Sequence, residues 1–212
     1  MKQQGIYSDK YTESQIIKSI LIDFLMTKFP DNLLIGNEVM YGSKRKLVDL
    51  LVLKNNALTA VEIKSKNDDI RRLSEQIEEY KKVFDYIIIC TTIVHLQKTM
   101  LLPNDIGIYC INEQNIEIVR KPKKQDKLDK TEMLFTINSN FLKKKLPKEI
   151  NVENSDEVRK RYIKESTKKI HNLFVDYLHK KVEPKFNLFL EHRGTHTLID
   201  DIPLLSSALY IQ

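Results

Sequence analysis

Hydrophobic residues in the first third of the chain follow the period of an α-helix and then that of β-strands. The apolar positions of residues 12–28 recur every three to four residues, which predicts a helix. Thr12 and Gln15 have the spacing of a capping box at its start, and Pro30 follows its end. Residues 33–40 are predicted as a first strand.

Two further apolar runs predict a β-hairpin, followed by a helix and more strands. Residues 47–53 and 58–64 flank a turn at Asn55 and Asn56. The predicted elements that follow are a helix at 69–84, a buried strand at 86–91 and weaker strands at 107–110 and 116–119. The expected order is α-β-β-β-α-β, with additional strands after it.

The pattern changes at residue 120. Residues 120–130 are polar, contain Pro122 and have no periodicity, so we interpret them as a linker. Beyond it we predict helices at 132–146 and 155–182, the second with Ser155 as N-cap and Pro184 after its end. The expected organisation is a domain at 1–119, a basic linker at 120–130 and a mainly helical region at 131–212.

Composition excludes several classes of protein. The chain has 212 residues, of which 42% are hydrophobic, enough to bury a core, and it has no apolar run near the roughly 20 residues of a membrane span. Its five glycines form neither a dinucleotide-binding fingerprint nor a P-loop. Cys90 and Cys110 are too few for a disulfide scaffold, and the N-terminus lacks the apolar region of a secretory signal. We therefore expect a cytoplasmic protein without membrane association.

Positive charge is concentrated in one segment. The formal net charge is +6, and residues 120–148 alone hold ten cations and three acids, hence +7. A basic patch of this kind suits nucleic acid, with lysines attracting phosphates independently of sequence. The alternative is a solvated linker. The candidate nucleic-acid-binding lysines are Lys123, Lys124, Lys143, Lys144 and Lys145.

The candidate chemistry lies on the hairpin. In the run Val61–Lys64 the alternation of a strand places Glu62 and Lys64 on one face and Ile63 on the other. Asp49 is the single acid of the preceding strand, and the hairpin can bring it close to Glu62. Two close carboxylates repel unless a cation lies between them, and oxygen ligands, including the carbonyl of Ile63, suit Mg²⁺ or Mn²⁺. Lys64 could then stabilise charge on a phosphate.

The alternative from the residues alone is a cross-strand ion pair of Glu62 and Lys64 at a sheet edge. The pattern of Asp49 with Glu62-Ile63-Lys64 nevertheless resembles the PD-(D/E)xK nuclease motif, although Val48 stands where that motif has proline. Residues 76–80 of the next helix resemble the QxxxY motif of RecB-like and Cas4-like nucleases, and residues 62–86 are most similar to the sce7726 family.

This resemblance covers roughly residues 12–92 and implies a restriction-endonuclease-like fold: an α/β protein with an αβββαβ core, a mixed sheet and, here, a helical C-terminal region. It also implies roles for individual residues. Asp49 and Glu62 would be metal ligands, Lys64 the catalytic lysine, and Gln76 and Tyr80 residues lining the site. For the last two, the alternative is an ordinary amphipathic helix.

Four charged residues are further candidates. Glu13, on the first helix, resembles an additional metal-binding acid of the family, the alternative being an acid favoured by the helix dipole. Glu38 could be an acid near the metal or a surface charge at the end of a strand. Arg71 and Arg72 could bind phosphate or be merely solvated.

The function expected from these features is hydrolysis of phosphodiester bonds by a nuclease that depends on Mg²⁺ or Mn²⁺. DNA is the expected substrate rather than RNA, in repair or phage defence. The alternative is a protein that keeps the nuclease fold to bind nucleic acid, or to dock a protein partner through its C-terminal helices, without constitutive cleavage.

Overall fold

Six strands form one mixed sheet whose spatial order equals their order along the chain. The computed structural model describes residues 10–206. The strands are β1 (Leu33–Tyr41), β2 (Lys46–Lys54), β3 (Ala57–Lys64), β4 (Tyr86–Thr92), β5 (Gly107–Asn112) and β6 (Asn115–Arg120). Pairing is parallel between β3, β4 and β5 and antiparallel elsewhere, so the predicted hairpin of β2 and β3 and the α/β class with a mixed sheet are confirmed.

Seven α-helices and a 3₁₀ helix accompany the sheet in the described part of the chain. They are α1 (Glu13–Lys28), α2 (Leu73–Lys81), α3 (Ile93–Thr99), α4 (Lys130–Thr136), α5 (Ser139–Lys144), α6 (Ser155–Tyr162), α7 (Thr167–His192) and the 3₁₀ helix Ile199–Leu205. The capping box of Thr12 and Gln15 is present, and the predicted order α-β-β-β-α-β is confirmed. Helix α3 was not predicted.

The sheet separates two hydrophobic layers. One face packs against α1 through Leu21 and Leu25, and the other packs against α2 and the C-terminal helices, where Tyr80 and Phe174 are fully buried. Helix α7 contributes to both layers and packs against β1, an edge strand, which it shields from pairing with another chain. A Cβ on Gly36 of β1 would lie 3.1 Å from a methyl group of Val182, so glycine permits this close contact.

Three helix predictions are wrong in their boundaries. Helix α2 starts at Leu73 rather than at 69. The predicted helix 132–146 is divided into α4 and α5, because Asn138 caps a new helix. The predicted helix 155–182 is also divided, since Ser166 caps α7.

Both ends predicted for that last helix also differ from the structure. The N-cap is Asn154 rather than Ser155. Pro184 lies inside α7 instead of ending it. Its ring is exposed while Val182 and Phe186 on either side are buried, so core packing carries the helix past the proline to His192.

The predicted linker is irregular over residues 121–129, whereas Arg120 belongs to β6. This connector is bound to the sheet domain along its length, because the amides of Lys123, Gln125 and Asp129 donate to backbone carbonyls. The proposed boundaries at 119 and 131 stay a prediction; residues 1–9 and 207–212 of those ranges lie outside the described residues. No helix within residues 10–206 combines the length and hydrophobicity needed to cross a membrane.

The packing of α7 against the sheet predicts that removing a buried side chain of α7 lowers stability. Replacing Phe174, which is fully buried, with alanine should lower the free energy of unfolding by about 3–5 kcal/mol, because it leaves a cavity in the layer containing α2. The matched change Phe135→Ala, at a side chain that is 45% exposed, should cost less than about 1 kcal/mol. Urea denaturation measures both, and equal losses would contradict the shared core.

Candidate functional site

The regular alternation of side chains between the two sheet faces is interrupted in β1 and β2, at the opposed positions Glu38 and Asp49. Val48 and Leu50 of β2 lie two residues apart yet pack in opposite hydrophobic layers. The pairing of β1 with β2 omits one opposed pair, Glu38 and Asp49, and Glu38 has a left-handed backbone with φ of 48°. This local irregularity turns Asp49 out of the regular ladder.

Strands β2 and β3 separate beyond this point. Their backbone pairing ends at Leu50 and Val61, one residue before Asp49 and Glu62 would be opposed. The amide of Ile63 donates instead to Oδ2 of Asp49 at 2.8 Å, so a carboxylate replaces the backbone partner. The N–H and C=O of one strand residue point to the same side, so the carbonyl of Ile63 faces the same gap.

The carboxylate of Glu62 is the centre of a buried polar cluster. Its Oε1 accepts hydrogen bonds from Nζ of Lys64 at 2.8 Å and from Nε2 of Gln76 at 2.7 Å. Its Oε2 accepts from the hydroxyl of Tyr80. Gln76 and Tyr80 are one turn apart on α2, and Glu62 is only 4% exposed. The structure thus brings together Glu62, Lys64, Gln76 and Tyr80, on the sheet face opposite Ile63.

Charge in this cluster changes the acidity of its members. Burial, and then the negative charge of Glu62, raise the pKa of Asp49 to about 6. The amide of Ile63 and the ammonium groups of Lys18 and Lys64 oppose that rise. Burial and Glu62 also raise the pKa of Tyr80, so its hydroxyl stays protonated and remains a donor. Asp49 and Glu62 are therefore close enough to repel each other.

Sequence reasoning missed Lys18 of α1, which is 8% exposed. Its Nζ donates to Oδ1 of Asn37 at 2.8 Å and lies 3.6 Å from Oε1 of Glu38. Asn37 in turn donates to the hydroxyl of Ser206 at 2.7 Å. The available signal was spacing, because Lys18 lies four residues before the buried Ile22 on the same helix face.

Other candidates have their partners outside the Glu62 cluster. The carboxylate of Glu13 accepts from the amide of Lys66 at 3.0 Å and lies 3.7 Å from its Nζ. Glu38 lies within β1 rather than at its end, and it faces Lys18. Arg71 is paired with Asp69 at 2.7 Å, with its side chain 89% exposed.

The remaining basic candidates are distributed over three segments. Arg72 is exposed and precedes α2. Lys123 and Lys124 are on the connector after β6, where Nζ of Lys124 lies 3.9 Å from the buried Asp85. The lysines of the α5 region are Lys143, Lys144 and Lys145. Lys145 pairs with Asp176 at 2.7 Å, which reduces its availability for phosphate.

The donors around the gap suit a hard cation. Among residues 10–206 no group of three or more His, Cys, Asp or Glu side chains is arranged to hold a metal ion. Asp49 accepts from the amide of Ile63 and lies close enough to Glu62 to feel its charge, and carboxylate and carbonyl oxygens are ligands of the kind Mg²⁺ and Mn²⁺ prefer. A cation would also offset the repulsion that raises the pKa of Asp49.

Fold and site together define an α/β protein with a mixed six-stranded sheet, C-terminal helices and a buried acid–lysine cluster where two strands separate. The family model described as "Bacteriophage P4 protein cII" matches residues 7–206, and the chain belongs to that family. Protein cII of Enterobacteria phage P4 is 26% identical over 208 residues, covering 92% of this chain and 78% of that protein.

A solved structure also matches part of the chain. It is a protein of unknown function from Silicibacter pomeroyi, 18% identical in sequence, with a TM-score of 0.46. The match covers 56% of this chain and 77% of that one.

The raised pKa of Asp49 predicts a pH-dependent gain in stability for Asp49→Asn. An acid whose pKa is higher in the folded than in the unfolded state opposes folding once ionised, so the penalty is complete above about pH 6 and absent below pH 3.8. Asparagine keeps an oxygen for the amide of Ile63. Without metal, the free energy of unfolding of the variant should exceed that of wild type by roughly 1–3 kcal/mol at alkaline pH. The two values should be equal in acid.

The matched control is Asp176→Asn. The pKa of Asp176 is lowered by Lys145, so loss of its charge should lower stability at alkaline pH, the opposite sign. Urea denaturation across the pH range measures both variants. A loss of stability in Asp49→Asn at alkaline pH would contradict the electrostatic description of the site.

Proposed function

We propose that this protein is a divalent-metal-dependent nuclease that hydrolyses phosphodiester bonds, with DNA as the expected substrate. The observation that carries the proposal is the convergence of Lys64, Gln76 and Tyr80 on the carboxylate of Glu62, beside Asp49 in the gap between two strands. These are the five residues that the resemblance to PD-(D/E)xK nucleases selects as catalytic.

Each residue has a role in this proposal. Asp49, Glu62 and the carbonyl of Ile63 would hold Mg²⁺ or Mn²⁺, which when bound supplies Lewis-acid activation of the phosphate and of an attacking water. Lys64 is held on the site face of β3 by its ion pair, where its ammonium can stabilise charge that develops on the phosphate. Gln76 and Tyr80 orient the carboxylate of Glu62. Glu13 stays a candidate for a further ligand.

A second candidate function is nucleic-acid binding without constitutive cleavage. Glu62 already receives three hydrogen bonds from its own protein, as a buried carboxylate with only a structural role would. In that case the pair of Glu62 and Lys64 stabilises the fold. It is a buried pair within one strand of the sheet interior, not the cross-strand pair at an edge that was the sequence-based alternative.

The cellular setting is part of the proposal. A relative comes from a phage, so we place the activity in phage–host biology, as phage defence or DNA repair. Both cysteines are buried free thiols, which supports a reducing cytoplasmic location. The candidate groups for holding substrate are Arg71, Arg72, Lys123, Lys124, Lys143, Lys144 and Lys145, and a protein partner of the C-terminal helices belongs to the second candidate function.

The direct test incubates purified protein with Mg²⁺, Mn²⁺ or EDTA and labelled single- and double-stranded DNA and RNA. Cleavage that requires the metal, and is strongest on DNA, is the expected result. Binding without cleavage under every metal condition would favour the second candidate function.

The catalytic assignment predicts the effect of Lys64→Ala on turnover. Loss of a positioned charge should slow single-turnover cleavage on the order of 10²–10³-fold. Because the variant also breaks a buried ion pair, its melting temperature should fall, and the rates must be compared well below both melting temperatures.

The matched control for this variant is Lys46→Ala. Lys46 also pairs with an acid, Glu79 of α2, but lies outside the Glu62 cluster. The Lys46→Ala variant should cleave at the wild-type rate. If Lys64→Ala is destabilised and yet cleaves as fast as wild type, Lys64 has only a structural role.

Metal binding gives an independent prediction. Calorimetric titration with Mn²⁺ should show one site in wild type, and Asp49→Asn should bind at least tenfold more weakly because one carboxylate ligand is lost. Asp176→Asn, which changes an acid of α7 that pairs with Lys145, is the control and should bind normally. Equal affinity of wild type and Asp49→Asn for Mn²⁺ would remove Asp49 from the ligand set.

A further inference from the structure

A concave surface lies at the end of the sheet away from Glu62. It is a cleft of about 890 Å³ between the C-terminal end of α1, the β2–β3 turn, the connector after β6 and the start of α7. Its floor is formed by sheet residues of the layer that packs against α1, including Val52 and Ile88. We name this surface the lysine cleft.

The charge of the lysine cleft has a single sign. Five lysines from four segments line it, and no Asp or Glu is among its described lining residues. They are Lys28, Lys54, Lys121, Lys124 and Lys168. Like charges gathered around one concavity repel, and a bound polyanion would offset that repulsion while focusing of the field raises its local concentration.

One wall of the cleft is held by a buried acid beneath it. Nε2 of His171 lies 2.9 Å from Oδ2 of Asp85, whose side chain is 1% exposed. The same oxygen accepts from the amide of Leu58, and Oδ1 lies 3.9 Å from Nζ of Lys124. Asp85 therefore offsets part of the positive charge from below and fixes the imidazole ring at the surface of the cleft.

The shape and composition of the cleft favour a strand of nucleic acid over a mononucleotide. Mononucleotide sites typically hold phosphates with glycine-rich loops, and no glycine is among the residues of the described chain that line this cleft. Lysines contributed by four separate segments suit a chain of phosphates that extends along the concavity. The partly buried ring of Tyr86 also lines it, whereas the ring of Phe29 is covered by Nζ of Lys54, 4.2 Å from its centroid. Aromatic rings in a basic groove are typical of sites for single strands, whose bases are free to stack.

We propose that the lysine cleft binds the phosphate backbone of single-stranded nucleic acid. This inference rests on the nucleic-acid binding of the proposed function but not on cleavage. It also divides the basic segment 120–148, because Lys121 and Lys124 line the cleft whereas Lys143 and Lys144 do not.

The position of the cleft makes it distinct from the Glu62 site. The cleft meets β3 at Ala57 and Thr59, while Glu62 and Lys64 lie toward the opposite end of that strand. Five residues from Ala57 to Glu62 correspond to roughly 17 Å of strand. The floor of the cleft also lies on the sheet face opposite Glu62, while its α7 wall extends to the layer that contains Tyr80.

The test uses full-length protein and a fluorescein-labelled oligodeoxythymidine, with EDTA present so that binding is measured without cleavage. The cleft variant combines Lys28→Gln, Lys54→Gln, Lys121→Gln and Lys168→Gln; Lys124 is kept because it pairs with Asp85. Removing four phosphate contacts should weaken binding on the order of 10²-fold at about 0.1 M salt and reduce the log–log salt slope by about 3.

The control removes the same total charge from exposed lysines outside the cleft. It combines four changes, Lys44→Gln, Lys98→Gln, Lys160→Gln and Lys164→Gln, and it should bind within a few-fold of wild type. Circular dichroism melting establishes that both variants are folded. Equal weakening in both would show that net charge alone attracts the oligonucleotide, which would overturn the proposal.

Three other results would also overturn it: wild-type affinity in the cleft variant, no binding by the wild type, and tighter binding of a duplex than of the single strand. The outcome is separable from the proposed nuclease activity. Oligonucleotide binding that depends on the cleft, without metal-dependent cleavage, would defeat the nuclease proposal alone. Metal-dependent cleavage by the wild type, together with an unchanged oligonucleotide affinity of the cleft variant, would contradict only the proposal for the lysine cleft.

Discussion

The buried carboxylate of Glu62 is the constraint on which the site depends. A negative charge in the interior of a sheet is costly unless it is paired and hydrogen-bonded. Lys64 pairs with it, and Gln76 and Tyr80 supply hydrogen bonds from α2. The same contacts that satisfy the charge therefore fix the position of α2 over β3. The contacts that stabilise the folded state therefore also arrange the candidate catalytic groups.

The separation of β2 from β3 creates the space in which chemistry is proposed. The regular pairing of β2 with β3 ends next to Asp49, which lies opposite the left-handed backbone of Glu38. There the carboxylate of Asp49 accepts the hydrogen bond of the Ile63 amide. Asp49 is thereby held in a partly buried position near a second acid, and burial first, then the charge of Glu62, raise its pKa. Unfavourable proximity of two acids is tolerated in a fold when a ligand offsets it, and this is why we infer a cation there.

Two functional surfaces would divide the sheet between them. The acid–lysine cluster lies toward the end of β3 that carries Lys64, and the lysine cleft lies at the end that carries Ala57. The cluster combines Asp49 and Glu62 with Lys64, whereas the described charged residues that line the cleft are lysines, all of one sign. Helix α7 stabilises both ends indirectly, since it packs against β1 and contributes His171 beside the cleft.

The sequence by itself determined the order of the first six elements, α-β-β-β-α-β, and the core of the site. The alternation in Val61–Lys64 placed Glu62 and Lys64 on one face, and helical spacing joined Gln76 to Tyr80, because both patterns are local. Lys18, the gap at Asp49, the lysine cleft and the course of α7 past Pro184 were decided only by the tertiary structure. Each depends on contacts between residues far apart in the chain, and burial of Phe186 and Phe189 outweighs the local cost of a proline.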